Sequence, residues 1–264
     1  MKGTIITTVL FVFFFTSNIS YSQLSPKIIA EKSFKSTVLI SNFDKNGQPL
    51  SIGSGFAIDN GVNATNFHVI ENSSGGFIKF IGSDIKYSIK GIIDKNEKCD
   101  LAILAVEIFR ASKLNFGNYD NVSVGDQIYV IGNPNGLEGT FSQGIVSSLR
   151  KIETGELLQI TAPISPGSSG GPVLNNNAEI KRLAVASYKS GQNLNFAIPI
   201  KYLEPLYNQS DKKTKSFYQA EKSSESESIT SEFGENIISG VKLLCLNGHE
   251  TLTWVNIPLQ LEIT

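Results

Sequence analysis

Apolar residues in this chain recur in short runs that alternate with polar ones and stop at Gly- and Asn-rich clusters, a period-two pattern that predicts β-strands. The first series comprises Thr37 to Phe43, Ile52 to Ile58, Phe77 to Ile81, Tyr87 to Ile93 and Leu101 to Val106, with turn clusters at Asp44 to Pro49 and Asn72 to Gly76. A second series follows at Gln127 to Ile131, Gly144 to Leu149, Leu157 to Thr161, Ile180 to Ser187 and Leu194 to Ile198. Strands at this spacing predict an all-β barrel or sandwich, and two six-stranded antiparallel barrels fit the two series. Helical signals flank the strands. One covers Pro26 to Phe34, with Ser25 as N-cap and Pro26 at the first helical position, and the other covers Ile200 to Tyr207.

The ends of the chain have a different texture. Lys2, an apolar run from Ile5 to Phe15 and polar Thr16 to Ser22, with small Ser20 and Ser22 before Gln23, read as a secretory signal peptide. The apolar run falls short of the roughly 20 residues that span a bilayer, so no stable membrane insertion is expected after cleavage. From Asn208 to Glu232 the composition turns to Lys, Ser and Glu and the apolar period vanishes, as in a flexible linker. Beyond it, Val241 to Leu246 and Thr251 to Ile263 look like strands too few to form a core of their own. The expected organisation is a signal peptide at 1–22, an N-terminal helix and first barrel at 23–115, a second barrel at 116–207, a linker at 208–232 and a small β-rich extension at 233–264.

Composition narrows the partners. A net charge of -1 over 264 residues, with no long basic run, gives no electrostatic reason to expect nucleic acid. The two cysteines, Cys99 and Cys245, permit one disulfide or two thiols, and the sequence leaves both open. Paired, they would close a long loop worth about 4 to 5 kcal/mol in the chain-entropy model. The two histidines are far apart and the cysteines lack ligand spacing, so no metal is expected. Gly132 to Gly139 contains Pro134 and lacks the Lys-Ser/Thr ending of a phosphate loop, so no cofactor is expected there either.

The chemistry concentrates in Gly167, Ser168, Ser169, Gly170, Gly171, Pro172. Glycines on both sides of Ser169 let the backbone turn tightly and bring N–H groups near a substrate carbonyl. A serine hydroxyl needs a base, and the base needs an orienting acid. His68 closes the run Ala64, Thr65, Asn66, Phe67, His68, Val69, whereas the other histidine, His249, lies in the C-terminal extension. Asp100 opens the apolar run Leu101, Ala102, Ile103, Leu104, where a carboxylate needs a donor because burying it alone is costly. Alone, His68 reads as a structural strand-end residue and Asp100 as a turn cap. Together with Ser169 they stand in the order His, Asp, Ser of chymotrypsin-type double barrels.

Thr65 to Val69, Asp100 to Leu104, Ile131 to Pro134, Gln143 to Ser147, Thr161 to Pro172 and Asn193 to Pro199 together resemble segments of HtrA/DegP-type trypsin-like serine proteases. The resemblance covers roughly Ser36 to Tyr207. It implies a two-barrel fold with the site in the cleft, His68 as general base, Asp100 as its orienting partner and Ser169 as nucleophile. The backbone N–H groups of Gly167 and Ser169 would form the oxyanion hole. Pro163, Ile164 and Ser187 would line the primary specificity pocket, whose floor lacks an Asp and so favours small or medium aliphatic side chains. The sequence departs from the family at Ser168, where asparagine is usual, and at Phe67, where a polar residue is frequent. The tail leaves no room for the PDZ module common in these proteins, and Ser168 offers no acid for activation by a new N-terminus.

The expectation is an exported, periplasmic or secreted serine endopeptidase acting on unfolded polypeptide through an acyl-enzyme, with homo-oligomers common in the family. Its alternatives are a catalytically silent chaperone-like module using the same cleft and an esterase using the same serine.

Overall fold

A computed structural model describes residues 23–108, 110–118, 122–152, 155–187 and 195–217. Within them, β1 (Thr37–Phe43), β2 (Pro49–Asp59), β3 (Val62–Thr65), β4 (Gly75–Phe80), β5 (Lys86–Asn96) and β6 (Leu101–Val106) close a barrel in the order β1-β2-β3-β6-β5-β4. A second barrel closes in the order β10-β11-β12-β9-β8-β7, from β7 (Gln127–Gly132), β8 (Thr140–Ile152), β9 (Gly155–Ile160), β10 (Pro172–Leu174), β11 (Ile180–Ser187) and β12 (Asn195–Pro199). Every strand pair in both barrels is antiparallel. The all-β double barrel expected from the strand pattern is the fold that forms.

The strand period explains where the cores sit. In β6, Ala102, Leu104 and Val106 point into the first barrel's interior. Leu101 and Ile103, on the opposite face, enter a separate core shared between the barrels. In β7 the same alternation sends Ile128 and Val130 into the second barrel and Tyr129 and Ile131 into the shared core. A strand buried on both faces must be apolar throughout, which is why Leu101 to Val106 shows no polar alternation. The shared core adds Phe56 and Ile58 of β2, Leu174 of β10, Ile180 and Leu183 of β11, and Tyr129 stacks on Phe141 at 5.4 Å.

Helices seal this seam. α1 (Pro26–Phe34) begins where Ser25 Oγ accepts the Ile28 N–H, with Pro26 in the first turn, and it buries Ile29 fully against the shared core. Its boundaries match the sequence expectation. At the other end, the expected helix from Ile200 is a 3₁₀ turn at Ile200–Tyr202 continuing into α3 (Leu203–Gln209), which inserts Leu203 into the same core.

Two strands had no sequence counterpart. β3 and β10 span four and three residues, too short for a visible period, and β3 carries the buried polar residue Asn63. The chain also stays on the first barrel beyond 208, where a linker was expected. Lys215 and Ile92 exchange two backbone hydrogen bonds of 2.8 Å, and Phe217 is buried in the first barrel's core. Phe217 is a single apolar anchor in a polar stretch, which composition averages away. The rest of 208–232, the β-rich extension expected at 233–264 and the signal peptide expected at 1–22 lie outside the described residues.

Gly91 makes the docking of 210–217 sterically possible. A Cβ there would sit 2.2 Å from the Lys215 carbonyl oxygen, at a φ of 151° that L side chains rarely adopt. Gly91→Ala is expected to cost about 2 kcal/mol by overpacking, read as a lower urea midpoint. An unchanged midpoint would show that this segment contributes nothing to stability.

Candidate active site

His68 and Asp100 meet through main chain and side chain together. β3 ends at Thr65, and the chain turns at once into α2 (Phe67–Ile70), which places His68 in a helical turn and not at the strand end expected from the sequence. Asp100 precedes β6 in a left-handed conformation, φ 52°, which Asp tolerates better than most residues. Its carbonyl accepts from Phe67 N–H at 3.1 Å and from Asn66 Nδ2 at 2.9 Å. Its carboxylate divides in two: Oδ1 accepts the His68 backbone N–H at 2.8 Å, and Oδ2 lies 2.7 Å from His68 Nδ1.

This geometry sets the imidazole. An ionised carboxylate only accepts, so Nδ1 is the ring nitrogen that carries hydrogen, and Nε2 keeps its lone pair. The Asp100 side chain is 2% exposed and that of His68 31%, so the acid is shielded while the ring reaches solvent. A proton accepted at Nε2 would produce an imidazolium facing a carboxylate fixed by two bonds.

The loop carrying Ser169 comes from the second barrel and is pressed against the first. Ser169 is half-buried, and its carbonyl accepts from Ser54 N–H at 2.8 Å. Gly170, at φ 83°, has no room for a side chain: a Cβ would lie 2.2 Å from both Ser54 O and Thr65 Oγ1 and 3.1 Å from Asn66 N. The segment after Ser169 therefore touches the residues just before His68. Gly167, at φ 95°, is equally tight, with its Cβ position 2.6 Å from the Asn133 carbonyl oxygen. Ser168 is buried and its N–H donates to Ser165 O at 2.9 Å, closing the turn.

Of the residues expected to line the specificity pocket, Pro163 and Ile164 precede this turn and Ser187 ends β11. Pro163 is exposed and Ile164 is buried, while the side chain of Ser187 lies outside the described residues. Asn195, paired with Ser187 across β11 and β12, donates from Nδ2 to Ala162 O at 2.7 Å and holds the chain entering Pro163. Sequence reading passed over Asn195, Ser54, Asn66 and Asn133. All are buried polar residues that hold backbone, and only the small-residue run Gly53, Ser54, Gly55 hinted at a close approach. Cys99, next to Asp100, is disulfide-bonded and so is no free thiol, while Cys245 lies outside the described residues. No group of metal-ligating side chains occurs among the described residues.

A double β-barrel with a His–Asp pair on one barrel and a glycine-bounded serine loop from the other defines the chymotrypsin-like class. Residues 53–180 match the family described as trypsin-like peptidase domain. Over those residues the chain carries a trypsin-like peptidase domain of the HtrA/DegP type. It is 35% identical over 156 residues to the "Probable periplasmic serine endoprotease DegP-like" of Chlamydia trachomatis, covering 56% of this chain and 31% of that one. It is 30% identical over 197 residues to "Anti-sigma-I factor RsgI9" of Acetivibrio thermocellus, covering 71% of this chain and 27% of the relative. The chain thus spans under a third of the length of these two relatives. In fold it resembles the solved structure titled "HtrA-type protease AlgW with tripeptide", with TM-score 0.64, 24% identity, and coverage of 70% of this chain and 63% of that one.

Gly170→Ala isolates the contact between the serine loop and the first barrel. The added methyl meets backbone and a buried hydroxyl at a positive φ, so a stability loss of about 3 kcal/mol is expected. Urea denaturation measures it, and wild-type stability would mean that the two barrels approach less closely than described.

Proposed function

We propose that this chain is a serine endopeptidase in which Ser169 attacks the peptide carbonyl, His68 takes and returns the proton, and Asp100 orients and stabilises the imidazole. The observation that carries the reading is the double grip of Asp100 on His68, through Nδ1 at 2.7 Å and the backbone N–H at 2.8 Å, in a barrel touched by the Ser169 loop. The amides of Gly167 and Ser169 supply the oxyanion hole. In the acylation step the Oγ–carbonyl bond forms as the Ser169 proton moves to Nε2, and the same proton then goes to the leaving amine as the C–N bond breaks. Water repeats the sequence on the acyl-enzyme and restores the serine.

The pocket floor at Pro163 and Ile164 is uncharged, so an Arg or Lys side chain would find no countercharge there, and small or medium aliphatic side chains suit it better. Relatives named as periplasmic proteases, together with the leader at 1–22, support export to the periplasm or beyond. No helix among the described residues is long and apolar enough to cross a membrane. Extended, unfolded polypeptide is the substrate class, because a cleft between barrels receives a strand and not a folded surface. Homo-oligomers are a further expectation from the family.

A fluorophosphonate probe should label the wild type and leave Ser169→Ala unlabelled, and equal labelling of both would end the assignment. Activity on denatured casein should fall by a factor of order 10⁴ or more in Ser169→Ala or His68→Ala. The fragments should end in Ala, Val, Ile or Leu. Suppressed aggregation of casein with no cleavage by the wild type would favour the silent, client-holding alternative.

A further inference from the structure

We infer that Ser54 is a positioning residue for the oxyanion site: its buried hydroxyl holds the Gly167 carbonyl and anchors Asn133, whose turn presents the Asn135 N–H that orients the peptide bearing the Gly167 amide. The inference rests on the proposed reading of Ser169 and Gly167. It goes beyond it in assigning a task to a first-barrel side chain that does not touch the reacting atoms.

Ser54 and Asn133 are both fully buried. A serine hydroxyl has one hydrogen to give and two lone pairs to fill. Ser54 Oγ uses all three: it donates to Gly167 O at 2.7 Å and accepts from Asn133 N at 2.9 Å and Asn133 Nδ2 at 3.2 Å. Such a saturated hydroxyl cannot rotate without losing a bond. Gly167 needs this restraint, because a glycine at φ 95° has no Cβ to bar its flanking peptides from turning over.

Both of those peptides are held. The Gly167–Ser168 unit is fixed at its carbonyl by Ser54 and at its N–H by Ser165 O. The Pro166–Gly167 unit is fixed at its carbonyl by Asn135 N–H at 2.8 Å. A trans peptide points its N–H opposite to its C=O, so anchoring Pro166 O on Asn135 turns the Gly167 N–H away from that turn. Asn133 also builds the turn that presents Asn135. Its carbonyl accepts from Gly136 N, its Oδ1 accepts from Gly139 N at 3.1 Å, and its Nδ2 donates to Val38 O at 3.0 Å on the first barrel.

Ser54 therefore links three pieces of the site. Its hydroxyl sets the Gly167 carbonyl, its N–H holds Ser169 O, and its carbonyl accepts Thr65 Oγ1 at 2.7 Å, three residues before His68. Only the hydroxyl can be removed by substitution, and removing it leaves the other two links in place.

The test is Ser54→Ala, with kcat and KM measured on an aliphatic-P1 peptide and peptide affinity measured separately in a Ser169→Ala background by fluorescence polarisation. Misdirecting an oxyanion donor acts on the transition state and not on substrate binding. We expect kcat to fall about 10- to 100-fold while the Kd of the peptide stays within about twofold. Ser54→Cys keeps the side-chain volume with a weaker donor and should show the same split where the alanine variant does not fold. A folded Ser54→Ala enzyme with wild-type kcat would overturn the inference, as would parallel losses of kcat and peptide affinity. Failure of the underlying reading is seen separately, as a wild type that neither cleaves peptide nor takes the probe at Ser169.

Discussion

The site depends on how closely two backbones approach where the barrels meet. Ser54 on β2 lies so near Gly170 that a side chain there is excluded, since a Cβ would sit 2.2 Å from Ser54 O; within the second barrel, a Cβ on Gly171 would sit 2.1 Å from Ile131 O. Backbone can come this close only where its polar groups pair, and they do, through Ser54 N–H to Ser169 O, Gly170 N–H to Ala184 O and Gly171 N–H to Ser168 O. The glycine run thus answers two demands at once. It allows the positive-φ turns at Gly167 and Gly170, and it lets that loop lie against β2 and the residues leading to His68.

The two barrels contribute unequally to this arrangement. The first holds a nearly self-contained unit, since Asp100 binds His68 by both carboxylate oxygens and binds the α2 entry by its carbonyl. The second brings a loop whose shape is completed from across the seam, by Ser54 on Gly167 O and on Ser169 O. Keeping the partners in place falls to the shared apolar core, into which both barrels, α1 and α3 send side chains. The chemistry is carried by polar contacts and the alignment by apolar burial, which is non-directional and tolerates small shifts that the hydrogen bonds then correct.

Much of this was legible in the sequence, and what was not has definable causes. The apolar runs gave the long strands because alternation over five or more residues is a strong signal. Leu101 to Val106 was found to the residue, since a strand buried on both faces is apolar throughout. β3 and β10 escaped because they are shorter than one full pattern, and both adjoin the chemistry, where polar Asn63 and Pro172 interrupt it. His68 was identified but placed on a strand, since nothing in Thr65 to Val69 marks a single helical turn enforced by Asp100. Phe217 escaped because its partner surface, opened by Gly91, lies more than a hundred residues earlier in the chain.

The least legible feature was the set of buried asparagines, and it explains how irregular backbone survives inside this molecule. Asn42, Asn66, Asn133 and Asn195 are each at least nine-tenths buried, and each donates from Nδ2 to a main-chain carbonyl: those of Val69, Asp100, Val38 and Ala162. Three of these carbonyls belong to segments that carry or flank His68, Asp100 and Pro163. A buried carbonyl without a donor costs about 1 to 3 kcal/mol, and such turns have no neighbouring strand to supply one. A short amide side chain reaches over, from a strand at Asn42 and Asn195 and from the edge of a helical turn at Asn66 and Asn133, and closes the deficit. Nothing in the sequence marked this role: Asn42 and Asn195 fell inside expected strands, and Asn66 and Asn133 inside segments singled out for the family resemblance. All four act from within the fold, and the site's exposed chemistry rests on turns that these residues make compatible with burial.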